Sequence, residues 1–318
     1  MKLKFKHIAL AAALVATGAA QAAIDTGSTS GNGELLLNLK WKDTNTTDGN
    51  QSASAAFDLG ITMDYAMANF NTAGFTLSWD LNNYGSAFST FLSTTNLVLA
   101  NAEMNVFALD GVGTNPGDIR LVSTTSGIST TGSSVSLTSS AIPTNGTLSA
   151  IPGNVTVLNF FSALNNSNSH NSVANGASYA DAASGSAYFD NGSGMDKFGN
   201  QQMFDSTGKF DGSYAAGTSV LAGQAKALPF YMVTTSSNDP FGKATMTAFG
   251  ADLDGDGLVE FDNNGSIAGG MSEYGLWTLQ GSTLTYSVAA VPEAETYAMM
   301  LAGLGLMGTI IRRRRKSA

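Results

Sequence analysis

An apolar run that ends in five consecutive cations dictates how one end of this chain must sit. The run reaches from Tyr297 to Ile311, and Arg312, Arg313, Arg314, Arg315 and Lys316 follow it directly. As a helix over 296–311 it rises about 24 Å, short of the roughly 30 Å hydrocarbon core, so crossing relies on snorkelling flanks or local thinning. The positive-inside bias keeps the cations on the cytoplasmic side and leaves everything before Pro292 outside. The segment reads as a stop-transfer device with a membrane-retaining basic tail at 312–316. The opposite end carries Lys2, Lys4 and Lys6, then the apolar stretch Ile8 to Val15, then Ala20-Gln21-Ala22. A basic start, an apolar middle and a small-residue site define a signal peptide over 1–22, exported by the Sec translocon and cut by signal peptidase. The chain thus divides into a leader (1–22), an exported ectodomain (23–290) and a tail (291–318).

Between ectodomain and apolar run stand Val291, Pro292, Glu293 and Ala294. This Pro-Glu box, the Ala302-Gly303-Leu304-Gly305-Leu306 centre of the helix and the arginine block together resemble the PEP-CTERM sorting signal. The same signal is known as the ice-binding protein C-terminal domain, carried by exported proteins of exopolysaccharide-producing Gram-negative bacteria. The resemblance covers Val291 to Lys316 and implies that exosortase, a membrane-embedded cysteine transpeptidase-like enzyme, recognises the box. It also implies release to the cell surface or the extracellular polysaccharide matrix. Ala294 stands where that family has a second proline. An anchor that no enzyme cuts is the alternative.

Charge separates sharply by segment. The whole chain has 15 Lys and Arg against 24 Asp and Glu; without the leader's lysines, the tail's cations and the two acids of the tail, residues 23–290 keep 7 against 22. Such an acidic ectodomain argues against nucleic acid or anionic lipid as partners and favours cations. With no cysteine, neither disulfides nor thiol catalysis nor Cys-ligated zinc is available.

The ectodomain reads as β structure. Leu35, Leu37, Leu39 and Trp41 alternate along Glu34 to Lys42, the period of a half-buried strand. Further strands are expected at Phe57 to Met63, Gly74 to Trp79, Glu103 to Leu109, Ile119 to Ser123, Val155 to Phe160, Leu228 to Thr234 and Lys243 to Phe249. A closing hairpin is expected from Gly275 to Gln280 and Thr283 to Val288, turned at Gly281-Ser282. Helical spacing is scarce apart from short turns near Ala215 to Lys226. An antiparallel β-sandwich or jelly-roll-like fold with long loops buries strands of this kind.

Ser123 to Asn154 is rich in Ser, Thr and Gly and reads as a hairpin, a linker or a low-complexity strand set, with a candidate internal boundary at 123–154. Asn165 to Asn175 has little apolar content to bury. Asp181 to Gly217 strings Tyr188, Phe189, Phe198, Phe204, Phe210 and Tyr214 along glycine-rich loops, either as satellite core or as rings that stack on sugars. His170 is the single histidine of the ectodomain, and among Asn and Ser neighbours it reads as solvated. No G-x-S-x-G surrounds a serine, and one histidine cannot build a zinc site. Paired carboxylates for glycoside hydrolysis stay open.

One acidic constellation stands apart. Asp252, Asp254 and Asp256 alternate ahead of Gly257, Leu258 and Glu260, resembling the D-x-D-x-D-G calcium loops of EF-hand and dockerin-type proteins. Hard carboxylate oxygens converge there around a glycine turn, with the Leu258 carbonyl at position 7 and Asn263 at position 12 in place of the usual bidentate Glu. Calcium is the expected cofactor; a plain acidic turn is the alternative. The ectodomain's role is expected to be structural or adhesive within extracellular polysaccharide and not enzymatic. A carbohydrate-binding protein or carbohydrate-active enzyme comes second. An ice-binding protein is more distant, because no regular Thr-x-Thr period is found.

Overall fold

The computed structural model describes residues 23–41, 52–94, 102–124, 143–153, 155–167, 170, 173–189, 214–215, 227–252 and 273–290. The leader and the tail, including 296–311, lie outside them. Among the described residues no helix is long and apolar enough to cross a membrane.

The protein is mainly β, and its strands pair antiparallel. Among the described residues, strands β1 (Glu34–Trp41), β2 (Ala53–Thr62), β3 (Thr76–Asp80), β4 (Glu103–Asp110), β5 (Arg120–Thr124), β6 (Ala177–Asp181), β7 (Tyr214–Ala215), β8 (Ala227–Thr234), β9 (Thr245–Ala248), β10 (Leu276–Gln280) and β11 (Thr283–Ser287) join one 11-stranded sheet. Its order is β3-β11-β10-β8-β5-β4-β1-β2-β6, with β7 added beside β4 and β9 beside β8. Strand β5 pairs β8, far along the chain, from Arg120 opposite Thr234 to Thr124 opposite Phe230.

The sheet curls on itself. Trp79 of β3, at one end of the order, donates its indole N–H to the Leu59 carbonyl of β2, near the other, at 3.0 Å. Inside the curl, Leu35, Leu37 and Leu39 of β1 are fully buried with Phe57, Phe230, Trp277, Leu284 and Tyr286. Each such aliphatic side chain contributes roughly 1.5–3 kcal/mol on leaving water. Helix α1 (Met63–Asn69) starts where β2 stops, because Thr62 caps it by accepting from the Tyr65 N–H. Helix α2 (Ala87–Thr94) closes the same core with Phe88 and Phe91.

The opposite face of the sheet is covered as well. Leu36, Phe107, Leu121 and Val233 point to it and meet helices α3 (Asn145–Ala150) and α4 (Val155–Asn165). Central strand β1 is therefore buried on both sides, and its alternation distinguishes two cores, not core from solvent.

Three expectations need correction. Val155 to Phe160, expected as a strand, is the first half of α4. Val157, Phe160, Phe161 and Leu164 are its buried side, spaced as one helical face needs. Residues 145–150, expected within a hairpin, linker or strand set, form α3, capped by Thr144. His170, expected in solvent, is completely buried, and nearby in the chain Ser178 of β6 donates to the Ser167 carbonyl. Tyr188 and Phe189 are buried beside α4, so these two belong to the core; Phe198, Phe204 and Phe210 lie outside the described residues.

Candidate functional site

Three loops meet at one end of the sheet. The first joins β4 to β5 over 111–119, and Asp118 shapes it: one carboxylate oxygen accepts from the backbone N–H groups of Thr114 (2.9 Å) and Asn115 (2.7 Å) and from the Asn115 amide (3.1 Å). Gly113 has φ 110°, and a Cβ there would fall 2.3 Å from that carboxylate, so only glycine lets the loop wrap so closely. Gly117 donates to the Thr235 hydroxyl at 3.0 Å, which ties the first loop to the β8–β9 connection.

That connection, 235–244, is held from α3. Asn145 is buried, and its amide donates to the Ser237 hydroxyl (3.0 Å) and the Asp239 carbonyl (2.9 Å) while its oxygen accepts from the Ser236 N–H (2.9 Å). Both N–H donors of this amide and its oxygen are engaged by the scaffold. The backbone adds Asn145 N–H to Gly242 and Gly146 N–H to Pro240, at 2.8 and 3.0 Å. Pro152 and Gly153, between α3 and α4, form the third wall.

The cleft so enclosed has a volume of about 480 Å³. Thr114, Asn115, Ser149, Ser237 and Asn238 offer it hydroxyls and amides, and Pro240 offers an apolar edge. None of the described residues that line it is titratable. Immediately after Pro240 comes Phe241, 86% exposed, the most exposed large apolar side chain among the described residues.

The ionisable groups that are perturbed lie elsewhere, in the body of the fold. Asp58 of β2 is buried, and burial, with the charge of Glu34 adding to it, pushes its carboxyl up to about 7. Glu34 is itself raised, first by burial, although the Asp25 backbone N–H hydrogen-bonds its carboxylate at 2.7 Å. Burial drives His170 the other way, down to about 4. The backbone of Ala56 opposes that fall, but neither ring nitrogen has a well-formed hydrogen bond. Among the described residues no three carboxylates or imidazoles converge as metal ligands.

Of the calcium-loop residues, only Asp252 is described. It is exposed and leaves the sheet just after Ala251, whose N–H bonds the Glu273 carbonyl at 3.0 Å. Gly250 bridges Tyr274, so the two ends of the loop are pinned side by side. Asp254, Asp256, Leu258, Glu260 and Asn263 lie outside the described residues. So do Val291, Pro292, Glu293 and Ala294 and the cations from Arg312 to Lys316. What precedes the box is firmly placed: Val288 N–H bonds the Phe75 carbonyl at 2.9 Å and Gly74 N–H bonds the Ala289 carbonyl at 3.0 Å.

The tail can be compared with known families. Residues 290–316 match the PEP-CTERM protein-sorting motif. The match begins one residue before Val291 and ends on Lys316, so the Pro-Glu box, the apolar run and the cations form one sorting unit. This motif marks an exported protein that exosortase processes at the membrane. No curated protein and no solved structure matches the chain. Sequence reasoning did not find the cleft. Its walls come from three loops far apart in the chain and made of Gly, Asn, Ser, Thr and Pro, which carry no spacing signal.

Proposed function

We propose that this is a surface or extracellular-polysaccharide-matrix protein of a Gram-negative bacterium, structural or adhesive in role. In this reading it is exported by Sec, held briefly in the inner membrane and released by exosortase. The observation that carries the reading is the sorting motif set directly after a strand that is bonded on both sides, so that a folded body stands at the membrane during processing. The curled sheet fits a sandwich-like ectodomain that presents loops at its ends. A cleft lined by neutral amides and hydroxyls supports binding over hydrolysis, since glycoside cleavage needs two carboxylates facing the bond. Calcium bound by Asp252, Asp254, Asp256, Leu258, Glu260 and Asn263 is part of the same proposal; the pinned loop ends at Ala251 and Glu273 favour a closed ligand loop.

Fractionation of cells that express the wild type or the Pro292→Ala, Glu293→Ala double variant tests the sorting step. The double variant is expected as a full-length membrane-bound form. Release of a shortened double variant at the wild-type level would refute exosortase processing at this box.

A further inference from the structure

We infer, on the footing of the export reading above, that the cleft between the β4–β5 loop, α3 and the β8–β9 loop binds an uncharged polysaccharide, with Phe241 as the stacking platform at its rim. The lining supplies what a polyhydroxyl chain needs and lacks what other ligand classes need. Asn115 and Asn238 are exposed amides that can both donate and accept, and Thr114, Ser149 and Ser237 add hydroxyls or backbone groups. No described lining residue is a cation, so a uronate or phosphate would find no counter-charge there. Each nearby carboxylate turns one oxygen to its own loop, Asp118 to the Thr114 and Asn115 N–H groups and Asp239 to the Phe241 N–H at 3.0 Å.

The site is also built before any ligand arrives. Asn145 locks the β8–β9 loop through three hydrogen bonds, and the Gly117 bond to Thr235 locks the β4–β5 loop against it. Binding therefore requires little ordering of the chain, which favours affinity for a weakly held neutral sugar. Phe241 completes the site. Its neighbour Pro240 lines the cleft and is fixed by the Gly146 N–H, while the ring itself is 86% exposed. A flat, solvent-exposed apolar ring one residue on from the lining Pro240 suits a pyranose, which has an apolar face and a polar edge.

Affinity electrophoresis of the full chain, purified in detergent, through native gels containing a neutral glucan, mannan or galactan tests the site. At least one neutral polymer should retard the wild type, and Phe241→Ala should weaken association about tenfold. Phe241→Trp should restore it, Asn238→Ala should weaken it, and a polyuronate should retard no variant. Because the Phe241 ring is in solvent, an unchanged melting temperature is expected for its variants and serves as the folding control. Absence of retardation by all three neutral polymers would overturn the inference. So would equal retardation by the polyuronate, or retardation that Phe241→Ala and Asn238→Ala leave unchanged. Loss on Phe241→Ala of binding to phosphatidylglycerol vesicles, with polymer binding intact, would assign the ring to a membrane instead. Normal processing of a protein that binds no polymer would remove the saccharide site and leave the export reading standing.

Discussion

The Tyr286 hydroxyl donates to the Phe70 carbonyl at 2.7 Å, and the two rings stack with centroids 4.0 Å apart. Phe70 is the C-cap of α1, and Tyr286 belongs to the last strand, so this contact ties α1 to β11 through the core. Tyr286→Phe keeps the stack and strands the carbonyl, and should lower stability by about 1–3 kcal/mol. Gly275→Ala should lower it further, because a Cβ there would lie 1.7 Å from the Tyr286 oxygen. Urea unfolding of the two variants gives the order.

Arg120 has a comparable role on the rim of β5. Its Nε donates to Asp110 at 2.7 Å, and the rest of its guanidinium reaches the Gly31 carbonyl at 3.0 Å and Asp64 at 3.6 Å. Asp110 is almost fully buried, so Arg120→Met leaves a carboxylate without its counter-charge and should cost about 3–5 kcal/mol. The double variant Arg120→Met, Asp110→Asn should recover much of that. Equal losses in the single and double variants, read by denaturant midpoints, would show that the pair itself contributes little.

Asp58 and His170 should make stability depend on pH in opposite senses. The folded protein holds the Asp58 proton up to about 7 against an ordinary 3.8, so its favourable contribution is complete below pH 4 and lost as pH rises to about 7. His170 is held neutral down to about 4 against 6.5, so its contribution is complete above pH 6.5 and lost as pH falls to about 4. The two windows overlap, and their full spans, about 4 and about 3 kcal/mol, nearly cancel. The contribution of this pair to the wild-type profile should therefore be shallow between pH 4 and 7. Asp58→Asn should make stability climb with pH across that range, and His170→Gln should make it fall. Melting temperatures at half-unit pH steps would show it; parallel profiles for all three proteins would contradict the assignment.

Calcium should act through the pinned loop after Ala251. Lacking a bidentate twelfth ligand, the site should hold the ion with a dissociation constant of about 10⁻⁴ to 10⁻³ M. A tenfold excess over that constant adds about 1.4 kcal/mol by mass action. Thermal unfolding in EDTA and in calcium, with Asp254→Ala and Asp256→Ala as controls, reads the effect. Equal midpoints in all samples would leave the loop as a turn alone.

Most strands were legible in the sequence because their side chains alternate, and β1, β4, β5, β8 and the β10–β11 hairpin fall where alternation and the Gly281 turn place them. Helix α4 was not, because its first six residues, with two valines and a phenylalanine, fit a strand; the face becomes helical only when Phe161 and Leu164 are counted with Val157 and Phe160. His170 was misread for a different reason: its neighbours in sequence are polar, but the surfaces that bury it come from elsewhere in the chain. The cleft was illegible by the same logic. Asn145 looks like any turn residue until Ser236, Ser237 and Asp239 arrive around it from about ninety positions later.

The position of β11 has a mechanical consequence. While the tail is still held in the membrane, before release, any tension on it enters the fold at Ala290. The strand it pulls is flanked on both sides, by β3 and by β10, and for a pull along the strand its ladder bonds run across the force. Force is then shared by two rows of bonds in shear and cannot peel them one at a time, with the Val288 and Gly74 bonds loaded first. The body should stay folded while its anchor is stretched.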